Sequence, residues 1–409
     1  MTRRWCCGTG CGAGRPARLD TAGGGRHRPG DAPEDPDAAA RLRPPRLRLL
    51  ADDLTGALDS AAELAGLCGP LPVAWQGAVA PEGSLALDSG TREAGRDEAV
   101  ARVAALAPAL AGADIAYKKL DSLWRGQPAA ELAACLATGA WAHCVLAPAF
   151  PAQRRITRGG RVLVGRPDGG WDPAPVEPGA ALAAEGLAVR PGRIDAPLPP
   201  GISLFDAEAE DDLARIVALG RAAPGPVLWC GSGGLARALA GDAVLAPGTR
   251  LERPVLGLFG SDHVVTARQL TACGAAWLRL PEEAGAVPVA RRLAAAGLAL
   301  VSLALPPGLD RAAAARRIAA GFTALAASLP LPGTLIVAGG ETLRALCNGL
   351  GAEGLLATGL VTPGVPRSRL RGGAWDGVTV ISKSGAFGPD ALWRDLLAGN
   401  GHSFGSIDA

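Results

Sequence analysis

Two adjacent carboxylates, Asp52 and Asp53, stand where an apolar run passes into an Ala-rich segment, in LRLLADDLTGALDSAAELA. The run is typical of a buried strand and the segment of a helix. A carboxylate at such a turn can orient or deprotonate a hydroxyl, hold Mg²⁺ through water, or cap the helix, here over residues 56–67. At Asp52 we weigh capping and chemistry equally. At Asp53, which would face the crevice or cap the helix, we favour chemistry.

A second polar cluster, YKKLDSLWRG, follows another predicted strand. Alternation along a strand puts Lys119 and Asp121 on one face and Lys118 on the other. Arg125 could clamp a carboxylate with two hydrogen bonds, and Lys119 could supply a point charge. Asp121 and Ser122 could bind hydroxyls. The cluster suits a small polyhydroxy acid, although a solvated charged loop is the alternative.

Only three of the 41 Lys and Arg residues are lysines: Lys118, Lys119 and Lys383. The bias suggests a GC-rich coding sequence that kept lysine where a guanidinium cannot replace it. An ammonium and a planar fork are not equivalent at a phosphate or in a tight site. Chance survival is the alternative, but the neighbouring residues favour function.

Two further strand ends carry charge. LDSGTRE places Asp88 and Arg92 after one strand. APAFPAQRRITRGG follows another as a proline-stiffened loop, whose Arg154, Arg155 and Arg158 could reach an anion. For two of these three arginines, an exposed basic loop is at least as good an interpretation.

The C-terminal half has three glycine-rich turns after predicted strands: GSDHVVTARQL, VAGGETLRAL and SKSGAFG. Backbone N–H groups at helix N-termini bind anions, and glycine allows phosphate oxygens to approach closely. One such turn is weak evidence, but three in one half, one with Lys383, predict a nucleotide phosphate site. Ordinary strand-to-helix turns are the alternative. TPGVPRSRL looks like a rigid Pro-Gly loop that could form one side of a nucleoside-binding pocket.

Apolar β-like runs alternate with Ala-, Leu- and Arg-rich helical runs from residue 47 onwards. This alternation predicts two α/β domains with mostly parallel sheets and an active site in the inter-domain cleft. We place the domains at 46–242 and 252–400, and we interpret residues 1–45 as disordered or as an upstream extension. RVLVGRPDGGWDP predicts a β-hairpin.

Composition excludes several classes. The chain is 48% hydrophobic and 20% charged, which is typical of globular proteins. It contains no apolar run long enough to span a membrane, and no basic stripe with interleaved aromatics, so we expect neither a membrane nor a nucleic-acid partner. The nine cysteines lack paired metal-ligand spacing. Six of them look like small core residues in a reducing cytosol, and no His or Cys pair accompanies them, so we predict no zinc site.

The motifs ADDLTGALDSA, KKLDSLWRG, APAFPAQRRITRGG, GSGGLARAL, GSDHVVTARQ, GGETLRAL, PGVP and KSGAFG, in this order, resemble the four-carbon acid sugar kinases. That family includes 3-oxo-tetronate and D-threonate or D-erythronate 4-kinases. The resemblance covers roughly Arg46 to Leu397. It implies a cytoplasmic enzyme that binds ATP, Mg²⁺ and a sugar acid and could form a homodimer. Departures are Asp262-His263, Leu360 and a short segment between Gln269 and Gly333.

The resemblance also implies roles for individual residues. The first domain would bind the sugar acid and the second ATP, and the two would close on each other. Sugar-acid binding would involve Asp52, Asp88, Arg92, Lys119, Ser122 and Arg125. ATP binding would involve Ser261, Gly339, Gly340, Glu341, Thr342, Gly364, Ser384 and Gly385. Asp53 would orient or deprotonate the C4 hydroxyl, with Asp121 as second choice, and Lys383 would neutralise phosphate charge.

Three other functions stay open at this point. A kinase of another small hydroxy acid, such as a glycerate, would share the same motifs. An NAD-dependent dehydrogenase is disfavoured because the spaced-glycine fingerprint is missing in clean form. A non-catalytic sensor of sugar acids or nucleotides would not need Asp53 and Lys383, and both are present.

Overall fold

The computed structural model describes residues 43–75, 83–166 and 168–404. Nearly all of the tail that we interpreted as disordered or as an extension, and with it Cys6, Cys7 and Cys11, lies outside these ranges.

The described residues form 18 strands and 11 α-helices. The strands are β1 (Leu47–Ala51), β2 (Leu71–Trp75), β3 (Leu85–Asp88), β4 (Ile115–Lys119), β5 (His143–Ala147), β6 (Arg155–Arg158), β7 (Arg161–Gly165), β8 (Trp171–Pro173), β9 (Val189–Pro191), β10 (Gly201–Leu204), β11 (Val227–Gly231), β12 (Val255–Phe259), β13 (Trp277–Pro281), β14 (Leu298–Ala304), β15 (Thr334–Ala338), β16 (Gly354–Thr362), β17 (Val365–Arg371) and β18 (Thr379–Lys383). The helices are α1 (Leu54–Cys68), α2 (Arg96–Leu106), α3 (Pro128–Leu136), α4 (Pro178–Ala184), α5 (Glu210–Arg221), α6 (Gly233–Ala240), α7 (Val264–Thr271), α8 (Val287–Ala296), α9 (Arg311–Ala327), α10 (Gly340–Gly349) and α11 (Leu392–Ala398).

Fifteen strands form one continuous sheet, in the order β13-β14-β12-β15-β18-β17-β16-β2-β3-β1-β4-β11-β5-β10-β9. Every pairing is parallel except β2–β16, β16–β17 and β17–β18, so two parallel sets flank an antiparallel centre. The predicted α/β class is confirmed. We call β1 to β11 with their helices the N-terminal half, and β12 onwards the C-terminal half. The boundary proposed near residue 242 stays a prediction.

The antiparallel centre is a feature that the sequence did not reveal. TPGVPRSRL, which we predicted to be a loop, is mostly strand β17, and only Pro363 and Gly364 form the turn from β16. β-Bulges near Gly359 and Thr362 add twist and bend to this hairpin. The edge of β16 then pairs with β2, which joins the two halves through backbone hydrogen bonds.

Strand order places the predicted site at two crossover points. After β1 the chain builds β2 and β3 on one side of that strand and then returns to build β4 on the other. β12 likewise lies between β14 and β15. After β12 the chain builds β13 and β14 on one side of that strand and then returns to build β15 on the other. Because ligands bind beyond the carboxyl ends of strands at such points, the residues after β1 and β12 are in the expected positions.

Helix α1 lies at the centre of the core. Thirteen of its 15 residues are buried, and its Ala-rich sequence favours both helix formation and close packing. Gly69, with φ of +80°, ends the helix in a conformation that favours glycine. The helix packs against β1 to β4 and also against β16 and β17. One continuous hydrophobic core on this face therefore serves both halves.

A buried ion pair on the opposite face supports the site from below. Lys118 is fully buried, and its Nζ lies 2.6 Å from Glu131 Oε2 of α3. Glu131 Oε1 accepts a hydrogen bond from the Thr91 hydroxyl at 2.6 Å, which fixes the turn after β3. The predicted split between the faces of Lys118 and Lys119 is confirmed, and Lys118 has a structural role.

The predicted hairpin and the predicted burial of the cysteines are also confirmed. The predicted hairpin is β7–β8, within a separate three-stranded antiparallel sheet that includes β6. The six cysteines outside the tail are free and buried. Among the described residues, no helix combines the length and apolar character needed to cross a membrane.

Replacing Glu131 with Gln should lower the free energy of unfolding by about 3 kcal/mol, because it leaves the Lys118 charge buried without a partner. The double variant Lys118→Met/Glu131→Leu should recover most of this loss. Urea unfolding measures both effects. Glu98→Gln, which breaks an exposed pair with Arg102, is the matched control and should change stability little. Equal effects of Glu131→Gln and Glu98→Gln would contradict the assignment.

Candidate active site

Strand ends from both halves border one cleft. The main cleft has a volume of about 330 Å³, and its walls include Asp53 and Arg92 from the N-terminal half and Ser261 and Gly340 from the C-terminal half. A smaller cavity of about 30 Å³, the inner pocket, adjoins it. The inner pocket is lined mainly by polar residues, among them Asp53, Asp59, Lys119, Asp121, Ser122, Arg125 and Lys383.

Arg92 joins three carboxylates. Its Nε and Nη2 donate to both oxygens of Asp52, and Nη2 also donates to Asp53 Oδ1 at 3.1 Å. Its Nη1 lies 3.4 Å from Asp121 Oδ1. Burial alone would raise the pKa of the Asp52 carboxyl, but the charge and hydrogen bonds of Arg92 outweigh this effect and hold the pKa below its ordinary value. Arg92 therefore organises the carboxylates and is not a free clamp for a ligand.

Asp53, and not Asp52, is the N-cap of α1. Its Oδ1 accepts a hydrogen bond from the Gly56 N–H at 3.0 Å, and its Oδ2 accepts one from the Thr55 hydroxyl at 2.5 Å. Capping, which we weighed equally with chemistry at Asp52 and also considered for Asp53, is thus the role of Asp53. The Asp53 side chain is still 24% exposed, and it lines both cavities, so the cap can also contact a ligand.

The N-terminus of α10 lies opposite that of α1. A Cβ atom added to Gly340 would stand 3.0 Å from Thr55 Oγ1 and 3.3 Å from Asp53 Oδ2. The absence of a side chain thus lets the first backbone groups of α10 approach the Asp53 carboxylate. Because free N–H groups and the helix dipole favour anions at this point, a phosphate could bind between the two helix ends.

The predicted glycine-rich turns also pack together. A Cβ atom on Gly385 would collide with the Ser261 side chain, and one on Gly260 would collide with Thr342. Gly339 has φ of +113°, and its N–H donates to the Lys383 carbonyl at 3.1 Å. The turns after β12, β15 and β18 therefore form one cradle. Of the predicted ATP-binding residues, the main cleft is lined by Ser261, Gly339, Gly340, Glu341, Thr342, Ser384 and Gly385.

The inner pocket contains a second carboxylate–guanidinium pair. Arg125 donates through Nε and Nη2 to both oxygens of Asp121, at 2.7 and 2.9 Å. Burial opposes ionisation of Asp121, but the charges of Arg92 and Arg125 prevail and lower its pKa. Such a carboxylate is a poor proton acceptor. The guanidinium of Arg125, which we expected to bind a ligand carboxylate, is already bound to Asp121.

Two lysines of the inner pocket have no carboxylate partner among the described residues. Lys119 Nζ donates to the Leu120 carbonyl at 2.8 Å. Lys383 Nζ donates to the carbonyls of Ser384 and Gly385, at 2.9 and 3.0 Å. Burial lowers the pKa of Lys383 to about 7. The amino groups of both lysines are thus bound only by backbone carbonyls.

Some predicted residues lie elsewhere. Asp88 lines neither cavity; it forms an ion pair with Arg344 of α10 and accepts a hydrogen bond from the Gly90 N–H at 2.7 Å. It links the two halves, so the structure does not support a substrate contact for it. Gly364 lies beside Phe387 at the inner pocket and not in the main cleft, where we expected it. Leu360 is buried in β16, away from both cavities.

Other cleft residues were missed. Arg344 and Thr55 line the main cleft, as do Ala314, Ala315 and Ile318 of α9. The three α9 residues form an apolar wall, and their spacing in AARRI is the only sign of it in the sequence. For Arg344 the signal was weak, because its partner Asp88 is remote in sequence.

The residues of the main cleft are of types that bind phosphate groups and Mg²⁺ in proteins. The glycine cradle leaves room for phosphate oxygens, and Asp262 and Glu341 line the main cleft beside it. Among the described residues, no group of three or more His, Cys, Asp or Glu side chains could hold a metal ion. Mg²⁺ in phosphate sites commonly needs only one or two carboxylates besides the phosphates, which fits this arrangement.

Replacing Arg92 with Met should lower the free energy of unfolding by about 3 kcal/mol at pH 7, because it removes the shared partner of buried carboxylates. The two carboxylates with lowered pKa, Asp52 and Asp121, contribute stability above their ordinary pKa of 3.8 and lose it as the pH falls through the lowered values. The difference between parent and variant should therefore shrink on acidification. Urea unfolding from pH 7 to pH 3 tests this, with the exposed Arg96→Met as control; a pH-independent difference would contradict it.

Comparisons with known proteins find relatives that match most of the chain. A family model described as a sugar-binding N-terminal domain matches residues 47–177, and one described as a nucleotide-binding C-terminal domain matches residues 291–392. The chain is 34% identical to a D-threonate kinase of Cupriavidus necator, with 85% of this chain and 96% of the relative covered. It is 33% identical to a D-threonate kinase of Bordetella bronchiseptica, with 87% and 97% covered.

Two solved structures share the fold. A protein of Salmonella typhimurium LT2 matches with a TM-score of 0.66 at 23% identity, over 85% of this chain and 98% of that one. A Haemophilus influenzae protein of the family called DUF1537 matches with a TM-score of 0.61 at 18% identity, over 87% and 100%. These two structures show the fold alone, whereas the family models and the two relatives above show that the chain belongs to the four-carbon acid sugar kinase family.

Proposed function

We propose that the protein transfers the γ-phosphate of ATP to the terminal C4 hydroxyl of a four-carbon sugar acid such as D-threonate, D-erythronate or 3-oxo-tetronate. One observation carries the proposal: the carboxylate of Asp53 lies within contact distance of the N-terminus of α10, at the junction of a glycine cradle and a polar pocket. The names of the D-threonate kinase relatives support the substrate class.

The nucleotide would occupy the main cleft. Backbone N–H groups at the start of α10 and in the turn after Lys383 would bind the phosphates, and the apolar wall of α9 would contact the base. Mg²⁺, held by Asp262 and Glu341 directly or through water, would neutralise phosphate charge. Lys383 would add its ammonium once a phosphate oxygen competes with the two carbonyls that now bind it.

The acceptor would lie at the inner pocket with its terminal hydroxyl towards Asp53. This carboxylate would accept a hydrogen bond from the hydroxyl and so orient it, or take its proton, in line with the γ-phosphate. Asp121, our second choice, is less suitable because two guanidinium groups lower its pKa. Ser122 would bind an inner hydroxyl of the acceptor.

The transfer also requires that water be excluded. At about 30 Å³ the inner pocket has room for little more than one or two water molecules, so the acid must extend into the main cleft or move the walls apart. Closure of the two halves over both substrates would then keep water from the γ-phosphate. Formation of a homodimer stays a prediction.

A direct test is ADP release, measured with a coupled assay on C3 to C5 sugar acids. Turnover confined to C4 acids is the expected result. Preference for a C3 acid would favour the glycerate-type kinase. Formation of NADH would favour a dehydrogenase, and binding without turnover would favour a sensor.

Asp53→Asn should lower kcat at least about 100-fold, because the amide cannot accept the proton or carry the charge. Asparagine still caps a helix, so the melting temperature should change little, and ATP affinity should stay within about twofold. The coupled assay, thermal unfolding and calorimetric titration measure these quantities, with the exposed Glu98→Gln as control. Parental turnover in Asp53→Asn would remove Asp53 from the mechanism.

Nucleotide binding should take up a proton at Lys383. Because burial lowers the pKa of Lys383 to about 7, this side chain is mostly neutral at pH 8 in the free protein, and a neighbouring phosphate should raise the pKa again. Uptake should rise from near zero at pH 6 towards roughly one proton per nucleotide at pH 8. Affinity should fall correspondingly as the pH rises above about 7.

Calorimetric titration in buffers of different ionisation enthalpy measures this uptake. Lys383→Met should abolish it, and Lys383→Arg should abolish it and impair turnover, since the fork cannot reproduce the ammonium. His263 also lines the main cleft, so His263→Gln is the control and should retain the uptake. Undiminished uptake in Lys383→Met would refute the assignment.

A further inference from the structure

One buried arginine outside the ion-pair clusters described above has no counter-ion in the part of the chain that the structure describes. Arg155 opens β6, and only 6% of its surface is exposed. Its Cζ lies 4.6 Å from the ring centroid of Phe387, which comes from the C-terminal half and lines the inner pocket. Among the described residues, Nε and Nη1 of Arg155 are buried without any hydrogen-bond partner.

Neighbouring arginines show that this arrangement is specific to Arg155. Arg154 is exposed and donates to the Arg166 carbonyl at 2.5 Å. Arg158 is exposed and holds both oxygens of Glu208, at 2.7 and 2.6 Å. The two flanking arginines thus belong to the basic surface loop that we considered, whereas Arg155 points away from solvent. Its stacking on Phe387 supplies some cation–π attraction but no negative charge.

No carboxylate of the described residues forms an ion pair with Arg155. Of the nearby carboxylates, Asp121 already binds Arg92 and Arg125, and Asp59 forms no ion pair with Arg155 within 4 Å. Lys119 and Lys383 donate only to carbonyls. A buried charge without a partner is strongly destabilising. The Arg155 side chain, which contacts Phe387 of the inner pocket but is not itself part of the lining of either cavity, therefore has no negatively charged partner among the described residues.

We propose that Arg155 binds the carboxylate of the acceptor sugar acid, with the help of Lys119, and so directs the opposite end of the molecule towards Asp53. A guanidinium fork matches a carboxylate with two parallel hydrogen bonds. The inference rests on the proposed function, since it names the group that selects an acid over a neutral sugar. Because Phe387 belongs to the C-terminal half, binding at Arg155 also engages both halves.

The test uses Arg155→Met, with Arg158→Met as matched control on the same strand. In the ligand-free protein, Arg155→Met should raise the melting temperature, because it removes an unpaired buried charge, whereas a purely structural stacking role predicts a decrease. Calorimetric titration with D-threonate, without nucleotide, should show at least 50-fold weaker binding by Arg155→Met and unchanged binding by Arg158→Met. ATP affinity should stay within twofold in both variants.

A second measurement compares D-threonate with threitol, its neutral counterpart. The parent should prefer the acid in kcat/KM at least 100-fold, Arg155→Met should lose most of this preference, and Arg155→Lys should retain part of it. Unchanged preference in an active, folded Arg155→Met would overturn the inference while leaving the proposed function intact. Arg155-dependent binding of D-threonate by a parent that phosphorylates no acid would support the inference and refute the function. Loss of ATP affinity without loss of acid affinity in Arg155→Met would instead assign Arg155 to a phosphate, and would overturn the inference.

Discussion

The geometry of the cleft depends on one guanidinium that serves several carboxylates. Asp52 and Asp53 follow β1, and Asp121 follows β4, so parallel strands bring three negative charges to one edge of the sheet. Without Arg92 these charges would repel each other. With it, Asp52 and Asp121 stay ionised as fixed supports, and Asp53 stays positioned as the cap of α1.

The turn that carries Arg92 connects distant parts of the molecule. On the reverse face of the sheet it is tied to Glu131 through Thr91, and Glu131 holds Lys118. Across the cleft, Asp88 pairs with Arg344 of α10, and Glu93 lies 3.6 Å from Arg311 of α9. A movement of α3, α9 or α10 would therefore be transmitted through this turn to Arg92 and the carboxylates that it holds. None of the partner residues on these helices lines the inner pocket.

Local patterns predicted much of this arrangement. Alternation assigned Lys118 and Lys119 to opposite faces, and the glycine-rich turns marked the cradle. The bidentate pair of Asp121 and Arg125 could also have been predicted, because the two residues are four apart in sequence. Long-range partners could not be predicted: neither the Asp88–Arg344 pair nor the burial of Arg155 against Phe387 leaves a trace in local spacing. β17 was not predicted because Pro366 lies within it, and a proline argues against a strand that is paired on both sides.

The pairing of β2 with β16 has a consequence for synthesis of the chain. β2 emerges from the ribosome early, whereas β16 is made near the end, so the nascent N-terminal half exposes an unpaired strand edge for most of translation. Such an edge readily pairs with other chains. The edge of β2 must therefore be protected from other chains until β16 has been synthesised. An isolated N-terminal half would keep this unpaired, aggregation-prone edge permanently.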